Sequence, residues 1–255
     1  MRRATHTTIA LLLTAVCGCA VTRHEAYTPR CSPCVRGVVF VVDGAGGFGA
    51  ASDALARAVR EAALPLEVED VDWTHGRWRV LADQTDAEHS RMEGCRLASR
   101  IAMQRQSYPG GKIYVVAHSA GSAVALTAAE SLPANSLDRI VLLSPAVCAY
   151  RDLRPALRSS REGIDVFYSE RDRNFLGFWT AVLGTADGEC DCPAAGRVGF
   201  SSTIATPEDS ALYAKLRQHA WTPEVAWTGN RGGHYGGYQP GHLRAYVLPL
   251  LNSCP

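Results

Sequence analysis

The chain has 255 residues, with 47% hydrophobic and 20% charged side chains and a formal net charge of +1. That length supports one sizeable core, and the composition excludes a disordered chain. The near-zero charge, with no long run of one sign, excludes a basic nucleic-acid-binding surface.

The first residues read as an address rather than as fold. Arg2 and Arg3 precede an apolar run from Ile9 to Val16 that is too short to span a bilayer, and small residues follow. Residues 1–18 are therefore expected to be a signal peptide. Val16-Cys17-Gly18-Cys19 resembles a bacterial lipobox, which implies cleavage before Cys19 and a lipid on its thiol, so that the mature chain is an exported, membrane-anchored lipoprotein of the cell envelope. Residues 19–36 read as a tether and residues 37–255 as one domain. Of nine cysteines, seven remain if Cys17 is removed and Cys19 lipidated. In an oxidising compartment some of these pair, with connectivity open and an odd one left over. Cys31-Ser32-Pro33-Cys34 with Cys190-Asp191-Cys192 has poor zinc spacing, so structural disulfides are expected and no metal or cofactor.

Gly37 to Asp43 is a continuous apolar run, as in a strand buried on both faces of a parallel sheet. The glycine-rich turn Gly44 to Gly49 leads to a helix from about Ser52, a suitable N-cap, through Leu55, Val59 and Ala63. Leu66 to Asp72 alternates like a second strand, and Trp73-Thr74-His75-Gly76 reads as a loop packed on the sheet. Ala87 to Gln106 is expected to be a long helix with Met92, Cys95, Ala98 and Ile101 on one face. Ile113 to Ala117 reads as a third strand and Ala120 to Ser131 as an alanine-rich helix. Ile140 to Leu143 and Ile164 to Tyr168 are further strands, and Val225-Ala226-Trp227 a plausible last one. This alternation predicts an α/β fold with a mostly parallel central sheet flanked by helices.

The stretch Tyr114-Val115-Val116-Ala117-His118-Ser119-Ala120-Gly121-Ser122 carries the chemistry. A buried strand runs into a helix through a serine with small residues two before and two after it, the pattern of a nucleophile elbow. The turn is so tight that larger neighbours collide, and the Ala120 N–H at the helix start can donate to a developing oxyanion. Here the sequence resembles the α/β-hydrolase family over nearly the whole chain after the tether, with Ala117 where the common pattern has glycine. The resemblance implies a serine hydrolase of carboxylesterase or lipase type that cleaves a small-molecule or lipid ester through an acyl-serine.

It further implies an order of serine, then acid, then histidine. The acid follows the strand Ile164–Tyr168, and Asp172 is the choice, with Glu170 the rival and Asp165 read as a strand-edge residue. The base lies in Gly229-Asn230-Arg231-Gly232-Gly233-His234-Tyr235-Gly236-Gly237, where glycines let the backbone aim an imidazole over the sheet. His234 is the choice and His242 the alternative. His75, His89 and His219 read as surface histidines, and His118 as pointing away from its neighbour Ser119. Asp43-Gly44-Ala45 matches the loop that supplies the second oxyanion N–H, with aspartate in place of histidine; Ala45, or Gly44, is then the donor. Phe175 to Trp179 and the cysteines Cys190 and Cys192 fall in an interval suited to packing or a substrate wall.

Two other classes compete. Gly44, Gly46 and Gly49 also satisfy G-x-G-x-x-G, with Glu67, Glu69 or Asp70 near the position of a ribose-binding acid, which fits a dinucleotide site. A lipid-anchored binding protein that kept the fold and lost catalysis is the third reading.

Overall fold

The computed structural model describes residue 28 and residues 35–172, 184–189 and 191–252. The expected signal peptide, Cys19, nearly all of the tether, Phe175 to Trp179, Cys31, Cys34, Cys190 and Cys254 lie outside the described residues.

Six parallel strands form one sheet in the order β2-β1-β3-β4-β5-β6. They are β1 (Gly37–Val42), β2 (Leu66–Asp70), β3 (Lys112–His118), β4 (Arg139–Leu143), β5 (Ile164–Tyr168) and β6 (Leu216–Ala220). Alternate residues of β1 supply two separate cores, which is why its sequence is apolar throughout. Val38, Phe40 and Val42 pack with Leu97, Ile101, Val124 and Leu126 on one face. Val39 and Val41 pack with Leu55, Val59, Leu243 and Val247 on the other. The first face is covered by α3 (Ala87–Ser107) and α4 (Gly121–Glu130); the second by α1 (Ala50–Glu61) and the C-terminal segment Leu243–Val247 and Leu248–Leu251, while the short α2 (Val80–Thr85) leads into α3.

Three local expectations fail for identifiable reasons. The buried face of α3 carries Ser90, Gly94, Leu97, Ala98, Ile101 and Gln104, while Met92 and Cys95 are exposed. Steps of three residues lose about 60° each at 3.6 residues per turn, so Met92 lies opposite Ile101 on the helix. Gly94 belongs to the buried face because a Cβ there would come within 2.6 Å of the Thr127 Cβ, where α3 crosses α4. The last strand is Leu216–Ala220, whereas Val225, Ala226 and Trp227 lie in the 3-10 turn Pro223–Thr228. Pro223 at the start of that run suits a helical turn and removes an amide that a strand needs. Finally, α1 starts at Ala50, and Ser52 is buried inside it rather than capping it. The cap comes from Asp43 at the end of β1: its carboxylate accepts the N–H of Ala51 at 2.8 Å and of Ser52 at 3.0 Å.

Cys148 and Cys192 form a disulfide across 44 residues, tying the loop after β4 to the segment that enters the short helix Ala195–Val198. Arg151 reinforces the same corner by pairing with Glu130 of α4 at 2.9 Å and with Asp187 at 3.1 Å. A disulfide suits an oxidising compartment. A loop of this length predicts a stabilisation of about 2–4 kcal/mol, so reduction should lower Tm by about 5–15 °C in a calorimetric or fluorescence melt.

Candidate active site

The turn from β3 to α4 is built by exclusion of side chains. Ser119 has φ +52°, a left-handed conformation that a non-glycine residue holds only where its surroundings impose it. Backbone hydrogen bonds on both sides of the serine impose it. The Ser119 N–H donates to the Leu143 carbonyl at 3.0 Å, and the Ser119 carbonyl accepts from Ala146 at 3.1 Å and Ser122 at 3.1 Å. A Cβ on Gly121 would overlap the carbonyl oxygens of Val42 and Asp43, so the position two after the serine has room only for glycine. Ala117, two before it, is fully buried between Val42 of β1 and Leu142 of β4, and its methyl fits there.

Beyond β5 the chain makes a short turn in which the Asp172 N–H donates to the Ser169 carbonyl at 3.1 Å. Asp172 is 3% exposed, whereas Glu170, its rival, is exposed on the surface. After β6 and the 3-10 turn, Asn230 shapes the histidine loop: its Oδ1 accepts the Gly232 N–H at 2.9 Å, and its backbone carbonyl accepts the Trp221 indole N–H at 2.8 Å. Gly232 has φ +83°, and a Cβ on Gly236 would overlap the Asn230 side chain, so these two glycines close the loop.

The three segments meet at the carboxyl end of the sheet. The His234 Nε2 lies 2.8 Å from the Ser119 Oγ and its Nδ1 2.6 Å from the Asp172 Oδ2. Ser119 and His234 are 8% and 6% exposed, so the array is nearly shielded from water. With a carboxylate on Nδ1 the ring proton sits there, and Nε2 accepts from the serine hydroxyl.

The other histidines divide differently from expectation. His118 does not point away from the site: its Nε2 lies 3.1 Å from the His234 carbonyl oxygen, and the two rings are 4.9 Å apart. Burial, then the neighbouring His234, pushes the His118 imidazole down to about 3, so the neutral ring donates its Nε2–H to that carbonyl. The rule that adjacent side chains on an elbow diverge missed it because the histidine loop folds back over both. His118→Phe should release the loop and lower any ester turnover about 10- to 100-fold, with His118→Gln closer to the unsubstituted protein, measured in steady-state assays. His242 is buried too, and burial followed by His219 lowers it to about 4. Below pH ~6.5 the unfolded chain takes up protons at both positions that the fold excludes, down to about pH 4 for His242 and 3 for His118. Stability should therefore fall by up to about 1.4 kcal/mol per pH unit for each histidine between pH 6 and 5, and a urea-melt series on His118→Gln should show a shallower slope.

His219 lies on β6 rather than on a helix or as a bare surface residue, and its Nε2 donates to Asp165 at 2.9 Å. Asp165, the second residue of β5, is not an edge residue but fully buried, on a strand flanked by β4 and β6. Burial alone would raise its carboxyl, but hydrogen bonds from His219, Arg217 and Arg139 outweigh it and hold the group well below the usual carboxylate range. His75 is half-buried and bonded to Asp83 at 2.9 Å, and the His89 Nε2 meets the Trp73 carbonyl at 2.7 Å. Trp73 is itself 1% exposed, so this loop packs on the sheet.

Gly44 lies beside the serine: a Cβ on it would stand 3.1 Å from the Ser119 Cβ and 3.0 Å from the His118 Nδ1. The Gly46 N–H is given to the Asp83 Oδ2 at 2.7 Å. Among the described residues no hydrogen bond occupies the backbone amides of Gly44, Ala45 or Ala120. The glycine-rich turn is poorly suited to a dinucleotide, because the Asp43 carboxylate already holds the first amides of α1 where a pyrophosphate would bind.

The sequence matches no family model and no curated protein. Solved structures do match. An esterase named PE8 superposes with a TM-score of 0.50 at 19% identity, over 81% of this chain and 88% of that one. A predicted CIB-like hydrolase from Thermoplasma acidophilum gives 0.50 at 11% identity, over 87% and 88%. An uncharacterized protein from Bacillus cereus ATCC 10987 gives 0.51 at 10% identity, over 90% of this chain and 64% of that one. With its six-stranded parallel sheet, flanking helices and these neighbours, the chain has the α/β-hydrolase fold.

Proposed function

We propose that the protein is a serine hydrolase that cleaves an ester-type acyl bond through an acyl-serine intermediate. The observation that carries this reading is the buried hydrogen-bonded line from Asp172 through His234 to Ser119, on a serine held at positive φ. In the first half-reaction the Ser119 Oγ attacks the acyl carbon while its proton passes to the His234 Nε2. Asp172 holds the resulting imidazolium, and the N–H groups of Ala120 and of Ala45, or Gly44 in its place, face the oxyanion. Collapse expels the alcohol, which takes the proton back from His234. In the second half-reaction His234 deprotonates a water that attacks the acyl-serine, and release of the acid returns the proton to Ser119.

The substrate class proposed is a small-molecule or lipid ester, and no cofactor enters any step. We further propose an exported protein held at the cell envelope by a lipid on Cys19, a reading supported by the sequence of the leader and by the compartment that the Cys148–Cys192 disulfide suits. A chain-length series of p-nitrophenyl esters tests the activity: turnover well above background, absent from Ser119→Ala, is the expected result. No turnover with any ester, from protein that melts cooperatively, would instead favour the binding protein without catalysis.

A further inference from the structure

The short helix α2 is turned inside out. Its charged Asp83 is fully buried, where the carboxylate accepts the N–H of Gly46 at 2.7 Å and of His75 at 2.7 Å, while the apolar Val80 and Leu81 face solvent. Leu81 is 59% exposed, and Trp78, just before the helix, 74%. These side chains join the exposed Phe48 of the glycine-rich turn in one patch. The Phe48 and Trp78 rings lie 5.0 Å apart, and a Cβ on Gly46 would overlap both Phe48 and Val80. Trp78 sits at φ +71°, a region that bulky residues avoid, with its N–H donating to the Gly46 carbonyl at 3.0 Å. So exposed a ring gains little burial in return for that strain. Strain and clustered exposed apolar side chains together mark contact with something outside the chain.

The charges at this tip select the partner. The Arg77 guanidinium lies 5.8 Å from the Trp78 ring centroid and Arg79 precedes the first turn of α2; both are exposed, and neither pairs with a carboxylate among the described residues. Asp70 and Asp72 border the cavity beside Phe48 and Arg77, but Asp70 accepts the Ser52 hydroxyl at 2.5 Å, and Asp86 faces His75 at 3.3 Å. From Arg77 to Leu81 the only charges are positive. Rings with arginines at their rim suit the headgroup level of a bilayer, where the apolar groups enter the acyl boundary and the guanidiniums meet phosphates. A second copy fits worse, because patch against patch would crowd the arginines of both together.

We propose that Phe48, Trp78, Val80 and Leu81, rimmed by Arg77 and Arg79, dock the protein on an anionic phospholipid surface. Phe48 belongs to the turn that starts at Gly44, which stands against Ser119, so docking brings the nucleophile to the lipid. Residues 19–36 allow at most about 60 Å between a lipid on Cys19 and β1, more than the roughly 40 Å width of a domain this size. An anchored chain thus reaches its own bilayer with this end. A preference for lipid esters rests on the proposed function; docking itself does not.

Amide hydrogen exchange read by mass spectrometry on the full chain carrying Ser119→Ala separates the two, since that variant has no nucleophile. It also reads contact at the patch itself, whatever holds the leader on a vesicle. The amides of Val80, Leu81 and Ala82 open α2 and have no acceptor within the helix, so they exchange fast in the free protein. Vesicles of phosphatidylcholine with phosphatidylglycerol should slow peptides spanning residues 77–82 about tenfold or more, and phosphatidylcholine alone should slow them less. Arg77→Gln with Arg79→Gln should remove the difference between the two lipids. Trp78→Gly, which suits φ +71° and so keeps the fold, should lose most of the slowing. No slowing in folded protein, equal slowing by both lipids, or slowing undiminished in Trp78→Gly overturns the proposal. Slowing that grows with protein concentration and needs no lipid identifies a second copy as the occupant and overturns it too.

Discussion

Replacing Ser119 by alanine should lower ester turnover by about 10⁴- to 10⁶-fold, His234→Ala should do nearly the same, and the double variant should be no worse than either single one. The non-additivity follows from the geometry. A hydroxyl without an acceptor 2.8 Å away is a poor nucleophile at neutral pH, and an imidazole without the hydroxyl has no proton to take. Asp172→Asn should cost less, about 10³- to 10⁴-fold, because it spoils the tautomer of His234 rather than removing the base. Circular dichroism and melting curves on the same variants check that the fold persists. A loss that simply multiplied between Ser119→Ala and His234→Ala would mean that the two residues act separately.

The second large effect concerns stability. Gly121→Ala should destabilise the protein by about 3 kcal/mol or more, read from urea melts. The added methyl meets backbone oxygens of Val42 and Asp43, at the end of a central strand buried on both sides, and neither can move without disturbing β1. Relief by shifting the β1 turn would displace Gly44, which stands against Ser119, so residual activity should fall as well. By contrast Ala117→Gly removes only one buried methyl from the other side of the elbow and should cost about 1 kcal/mol. The asymmetry gives a physical reading of the departure at Ala117: the two small positions flanking the serine are not equally constrained.

Much of this arrangement is legible in the chain before any coordinate is known, and the reasons are particular. The run Gly37–Val42 announces a doubly buried strand because each of its faces must meet a separate core. The elbow is readable because a sharp strand-to-helix turn tolerates few residue types, and the histidine loop because its glycines have little other use than to bend. Asp172 is harder, since a loop carboxylate has no local signature; it could be selected only through the strand before it and the resemblance to α/β hydrolases. Features that depend on distant partners were out of reach. Nothing near Ser52 in sequence says that its amide is capped by Asp43 nine residues earlier, or that its hydroxyl meets Asp70 at 2.5 Å. Asp165 looks like a strand-edge residue until Arg139, Arg217 and His219 arrive from neighbouring strands. His118 is the instructive miss, because its partner is a backbone carbonyl 116 residues away that only the folded loop brings within reach.

Hydrolysis at this site requires Ser119 to be a nucleophile activated in place. Incubation with a fluorophosphonate, followed by intact-protein mass spectrometry and peptide mapping, reads that directly. One adduct per chain, on the peptide containing Ser119 and missing from both Ser119→Ala and His234→Ala, is the predicted result. Folded protein that takes up no label, or an adduct that maps elsewhere and survives in Ser119→Ala, would contradict it.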